Sequence, residues 1–194
     1  MGTTLSDMML LEFPEAFESE RLLIRAPMKG DGTAVSEAVA EREQELAPWM
    51  PWASPVQTQE EAEVSVRRSK LEFEARRDLR LMLLERKTGR FVGGSGLHRI
   101  DWNARKFEIG YWVRSSCAGQ GYISEAVQAI TEFAVRELAA NRIEIRCDAR
   151  NKRSAQVAQR TGFTLEGILR GEKRDTDGSL RDTMIFAKVR GAEF

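Results

Sequence analysis

The residues best placed to do chemistry are Gly119-Gln-Gly121 and the segment that follows them. From Ile123 onward apolar residues recur at helical spacing, at Ala126, Val127, Ile130 and Ala134. A helix that begins directly after glycines leaves its first backbone N–H groups unpartnered and aims them, with its dipole, at whatever lies in front. That arrangement favours an anion, most often a phosphate, so the chain is expected to bind a phosphorylated small molecule. The loop is not a P-loop, because Gly-x-x-x-x-Gly-Lys-Ser/Thr does not occur. It is not a dinucleotide fingerprint either, because Ser124 stands where the third glycine would fall.

Other chemistries lack their residues. His98 is the only histidine, which leaves little for a histidine-built zinc site or a Ser-His-Asp triad. Cys117 and Cys147 show no metal-ligand spacing and are too few for a disulfide framework. No metal is expected. Gly93-Gly-Ser-Gly96 is not a nucleophile elbow, because Leu97 replaces the last glycine. Basic and acidic residues number 30 each, so general affinity for nucleic acid is not favoured. No apolar run reaches the roughly 18 residues of a membrane span, and the N-terminus does not read as a secretory signal. A reduced, cytoplasmic setting is expected.

The elements that must position the glycine loop follow from periodicity. Phe107, Ile109, Tyr111 and Val113 alternate as a strand running into it. Strands are also expected over 21–26, 79–86, 91–100, 142–148, 163–173 and 180–189. Helices are expected over 31–45, 58–77, 121–139 and 151–160. Thr58 and Glu61 form a capping box, Gly162 is a C-terminal cap and Asp177-Gly178 is a hairpin turn signal. Gly93, Gly94 and Gly96 suggest a bulge or a close approach. Three prolines keep 48–55 out of regular helix or central strand. The chain reads as an acidic, partly ordered lead-in over 1–18 followed by one domain over 19–194, with helices packed on a mixed sheet and a parallel strand–helix–strand unit over 107–148.

A second cluster follows about thirty residues after the loop: Asn151-x-x-Ser154, then Gly162-Phe-x-x-Glu-Gly167. With Glu108-Ile-Gly-Tyr-Trp112 and Gly119-Gln-Gly121, in this order and at this spacing, it resembles the GNAT superfamily of acyl-CoA-dependent N-acyltransferases. Within that superfamily the chain is similar to the RimL/RimJ-type enzymes that acetylate the N-terminal amine of ribosomal proteins. The resemblance covers roughly residues 20–190. It implies an α/β (α+β) GNAT fold, with a mixed, mostly antiparallel sheet of about seven strands, a central parallel pair that splays apart, and about four flanking helices. One departure stands at Ala118, where the family usually has a Gln or Arg that braces the loop.

The resemblance also implies roles. Acetyl-CoA would lie against Tyr111, Trp112 and Val113, with its pyrophosphate on the loop Ala118, Gly119, Gln120, Gly121, Tyr122, Ile123 and Ser124. Asn151 and Arg153 would complete the cofactor contacts. Ser154 would protonate the departing thiolate, or else only satisfy the first turn of its helix. Asn151 would touch cofactor or acceptor, or only cap that helix. Glu108 would take the amine proton through water, or else be only a surface carboxylate of its strand, with His98 as the competing base or only a partly buried polar residue. Trp49 and Trp52 would shape the acceptor pocket, with His98 also facing the acceptor, or would make a dimer contact. Cys147 reads as a small buried residue. The acceptor is expected to be a protein N-terminus. Alternatives are a small amine such as an antibiotic, a polyamine or an aminoacyl nucleotide, and a homodimer is a further family expectation. A catalytically silent acyl-CoA-binding module and a nucleotide-binding protein are the competing classes.

Overall fold

In the computed structural model, which describes residues 8–175 and 178–194, the chain begins with strands β1 (Ala16–Glu18) and β2 (Leu22–Arg25). Helices α1 (Gly32–Ala40), α2 (Glu43–Leu46) and α3 (Gln59–Glu74) follow, then strands β3 (Leu79–Glu85), β4 (Phe91–Asp101) and β5 (Lys106–Val113). Helix α4 (Tyr122–Arg136), strand β6 (Arg142–Asp148), helix α5 (Lys152–Arg160) and strands β7 (Thr164–Arg174) and β8 (Leu180–Val189) complete it. All eight strands form one sheet in the order β1-β2-β3-β4-β5-β6-β8-β7.

Every neighbouring pair is antiparallel except β5 and β6. That parallel ladder joins Lys106, Phe107 and Glu108 to Arg142, Ile143 and Glu144, and then stops. Beyond it β5 stays paired with β4 as far as Val113, and β6 with β8 as far as Asp148. The two central strands therefore fork, as the family resemblance implies.

Each face of the sheet carries its own core. Phe107 and Ile109 point to one face, where they pack with Ala126, Val127, Ile130 and Ala134 of α4. These four are the residues whose helical spacing marks the helix, and all are fully buried. Truncating Ile130 to Ala would cost about 2–5 kcal/mol. A second cluster under α1 and α3 joins Val35, Val39, Val66, Met82, Phe91 and Trp112.

Several local expectations change. The helix expected over 31–45 is broken into α1 and α2. The lead-in contributes β1, with Phe17 stacked on Phe133 at 4.4 Å and Phe13 set edge-on to Phe73. The bulge suggested by the glycines of β4 does form: Leu83 pairs with Gly93 and Leu84 with Phe91, which leaves Val92 extra beside Gly93, and a second irregularity in β4 lies between His98 and Asp101. The Pro48–Pro55 segment holds a short 3-10 turn, Pro51–Ala53. Asp177 of the turn signal lies outside the described residues.

Candidate active site

The glycine loop adopts the backbone that its sequence requires. Gly119 and Gly121 have φ of +75° and +83°, values that L side chains rarely adopt. The turn brings the chain onto the first residue of α4 with its amides forward. Among the described residues, the N–H groups of residues 119–124 meet no protein acceptor. Glu125, in the same first turn, would oppose an anion, but its carboxylate is turned away and held. It accepts from the Ser19 hydroxyl at 2.6 Å, the Arg21 amide at 2.7 Å and the Arg21 guanidinium at 2.6 Å. Burial alone would raise its pKa, but these three bonds outweigh burial and hold it below the usual carboxylate range.

Arg21 also supplies the brace that Ala118 lacks. Its Nη1 donates to the Gln120 carbonyl at 3.0 Å, and its guanidinium lies 4.4 Å over the Tyr122 ring. Gln120 itself turns back to the Ser116 carbonyl at 2.8 Å.

A cavity of about 770 Å³ opens in front of these amides and runs between the end of β5 and α5. It gathers every residue expected to contact a cofactor except Gln120, and Ser154 as well. Asn151 caps α5, its side-chain oxygen accepting from the Ser154 amide at 3.1 Å, and it faces the cavity at the same time. The Ser154 hydroxyl donates to the Tyr111 hydroxyl at 3.1 Å, and Tyr111 donates to the Ser154 carbonyl at 2.9 Å. Burial pushes the Tyr111 phenol well above its ordinary pKa, so it remains a proton donor at neutral pH. Burial and the neighbouring Asp148 raise the Cys147 thiol to about 11, which leaves it a poor nucleophile.

Two of this cavity's residues depart from expectation. Trp49 lines it, whereas Trp52 lies across the Pro51 turn in a second cavity. Arg42 is 9 % exposed, and its Nη1 is buried without a hydrogen-bond partner. The irregular join between α1 and α2 delivers this cation, and periodicity alone does not mark it.

The second cavity, of about 300 Å³, lies on the α1–α3 face and shares Tyr111 and Trp112 with the first. His98 lines it, with Nδ1 held 2.7 Å from the Asp78 carboxylate. The imidazole rests on glycines. A Cβ on Gly96 would stand 2.8 Å from its Cε1, and one on Gly110 would stand 3.0 Å from its Cδ2. This is the close approach that the glycine-rich strand signals. Arg80 also lines the cavity. Its sequence signal is a charged residue inside the apolar run Leu79-Arg-Leu-Met-Leu-Leu84.

Glu108 sits directly across from His98 in the β4–β5 register but lines neither cavity. It faces Arg99 at 3.5 Å and Arg146 at 4.0 Å, in a network that continues to Glu144 and Glu172. Among the described residues, no group of three or more His, Cys, Asp or Glu side chains is arranged to hold a metal ion.

Comparison with known proteins agrees with this architecture. The acetyltransferase (GNAT) domain family matches residues 21–164. The ribosomal-protein-serine acetyltransferase of Escherichia coli (strain K12) is 28% identical over 171 residues, which is 88% of this chain and 94% of that protein. The solved structure of RimL, a ribosomal L7/L12 alpha-N-protein acetyltransferase in complex with coenzyme A, superposes with a TM-score of 0.83 at 26% identity. It covers 90% of this chain and 98% of that one. A microcin C7 self-immunity acetyltransferase, solved with acetyl-CoA and AMP, shares the fold with a TM-score of 0.83 at 22% identity, over 93% and 99% of the two chains. The forked sheet, the run of free amides and these matches together make the chain a member of the GNAT acetyltransferase family.

Proposed function

We propose that this enzyme transfers an acetyl group from acetyl-CoA to a primary amine, and that the amine is a protein N-terminus of the ribosomal-protein kind. The observation that carries the reading is the pair of cavities meeting at Tyr111 and Trp112, one fronted by free amides and the other holding His98. Bound in the larger cavity, acetyl-CoA supplies the acetyl thioester. The amides of residues 119–124 suit its pyrophosphate, and Arg42, Arg153 and Arg160 bring positive charge to the same walls. The unpaired edges of β5 and β6 offer backbone groups to an extended arm.

His98 is the better-placed proton acceptor. Its Nδ1 is held by Asp78, and its Nε2 has no hydrogen-bond partner among the described residues. Glu108 is a charge partner to Arg99 and Arg146. Ser154 and Tyr111, hydrogen-bonded to each other at the fork, donate the proton to the departing sulfur.

The smaller cavity is also large enough for a compact amine, which favours a small-molecule acceptor as the second reading. A thiol-release assay tests both, with N-terminal peptides of ribosomal proteins set against polyamines, aminoglycosides and aminoacyl nucleotides. Peptide turnover well above that of every small amine supports the first reading. The reverse order overturns it, and tight coenzyme A binding with no transfer to any acceptor points to a silent binding module. The buried free thiols Cys117 and Cys147 fit a reducing, cytoplasmic setting. Exposed Leu165, Ile168 and Leu169 on the edge strand β7 suit a homodimer contact, to be read by light scattering.

A further inference from the structure

Arg80 lies on β3 between Leu79 and Leu81, each 1 % exposed. Its cross-strand partner is Gly96, the glycine beneath the imidazole of His98. Its Nη1 donates to the hydroxyls of Ser65 at 3.3 Å and Ser69 at 3.1 Å, both on α3. These acceptors are neutral. Among the described residues, no carboxylate lies within 4.0 Å of it. The acids that influence it from farther away, Asp78 and Asp31, are held by His98 and Arg25, each at 2.7 Å. Burial pushes the guanidinium below its ordinary arginine value, against the opposing pull of those two carboxylates. A partly buried cation without a contacting anion is an unfavourable arrangement, which an anionic ligand relieves.

The rest of the cavity sharpens this. Its lining contains no Asp or Glu, and its polar groups besides Arg80 and His98 are neutral. An amine in water arrives mostly as an ammonium ion. A cavity whose only permanently charged side chain is a cation repels it, unless the acceptor brings negative charge of its own.

We propose that Arg80 is a specificity-determining residue that selects acceptors carrying a carboxylate or phosphate group close to the reacting amine. This rests on the acetyl-transfer reading above and adds the acceptor's chemical class. The guanidinium fork receives the anionic group. The amine of the same molecule then lies toward His98, one strand away.

Matched acceptor pairs test it. One pair is a peptide beginning Ser-Asp and its Ser-Asn twin, and the other is phosphoethanolamine and ethanolamine. The readout is the ratio of kcat/KM, anionic over neutral, in the wild type, Arg80→Gln and Arg80→Lys. The wild type should favour the anionic member of at least one pair by about tenfold or more. Arg80→Gln should bring that ratio close to one. Arg80→Lys keeps the charge but loses the fork, and should lower the ratio severalfold. It decides the matter if the glutamine variant does not fold. The pair that responds identifies the anion as a peptide carboxylate or a small-molecule phosphate. Ratios near one in the wild type for both pairs, or a full preference surviving the substitutions, would overturn the proposal. If no acceptor is acetylated at all, the transfer reading falls on its own. Calorimetric titration of both peptides into the coenzyme A complex then decides for Arg80. Tighter binding of the Ser-Asp peptide that disappears in Arg80→Gln supports it, and equal binding of the two overturns it.

Discussion

Tyr111 and Ser154 are bound to each other twice across the fork, hydroxyl to hydroxyl at 3.1 Å and tyrosine hydroxyl to serine carbonyl at 2.9 Å. The pair ties β5 to the first turn of α5 beyond the point, at Glu108, where β5 stops pairing with β6. Removing either hydroxyl should therefore act on turnover. Ser154→Ala and Tyr111→Phe should each lower kcat by about 10²-fold, with much smaller changes in KM for acetyl-CoA. Steady-state thiol release checks this, and unchanged turnover at saturating substrates would remove both residues from the proton path.

The seat of His98 is tested without touching the histidine. A methyl on Gly110 meets only the imidazole, at 3.0 Å from Cδ2 and 3.2 Å from Nε2. Gly110→Ala should displace the ring and lower kcat by about 10²-fold while leaving Tm nearly as it was. A methyl on Gly96 also meets the Leu79 carbonyl oxygen at 2.8 Å, so Gly96→Ala should destabilise the fold by about 1–3 kcal/mol. Paired melting curves and kinetics separate the two effects.

His98 and Glu108 face each other across β4 and β5, and substitution tells their roles apart. His98→Asn should lose the ascending limb of the pH–rate profile together with most of the turnover. Glu108→Gln should keep the limb and lose stability, because Arg146 would be left with one carboxylate fewer. The opposite assignment would make Glu108 the base.

Glu125 links the loop to acid stability. Its carboxyl titrates below the usual range in the folded chain. Its contribution is therefore complete above the unfolded value of about 4.3 and is lost as pH falls through the lower folded value. Wild type should melt above Glu125→Gln near neutral pH, and the difference should shrink as pH is lowered below about 4. A constant difference across that range would show that the carboxylate is not held as described.

Stability can also be probed away from both cavities. Thr58 accepts from the Glu61 amide at 3.2 Å, and Glu61 accepts from the Thr58 amide at 2.9 Å, closing the capping box of α3. Thr58→Ala should cost about 1 kcal/mol, read from urea unfolding, with kcat preserved.

Periodicity and turn chemistry make most of the frame legible in the sequence. The strand 142–148 and the helix after Gly121 follow from local patterns alone, and the capping box follows from two residue types at a fixed spacing. Contacts over long separations did not show. The brace at Gln120 comes from Arg21, 99 residues away along the chain, so the sequence displays only the gap at Ala118. Trp49 and Trp52 look equivalent in the sequence, yet the 3-10 turn at Pro51 sends them to different cavities. Glu108 lies on the strand face that the alternation requires, but Arg99 and Arg146, which engage its charge, come from other strands. Strand β1 is three residues long, too short for a period to register.

The fork between β5 and β6 has one more consequence. An open sheet has two borders, and a forked one has four. Unpaired borders invite pairing with other chains, and proteins commonly blunt or cover them. Here the extra border of β5 faces a cleft walled by the start of α4 and by α5, and that of β6 a smaller hollow beside it that shares Asn151 and Ser154. The enzyme can thus keep a stretch of main chain free for its cofactor without offering that stretch to a neighbouring molecule.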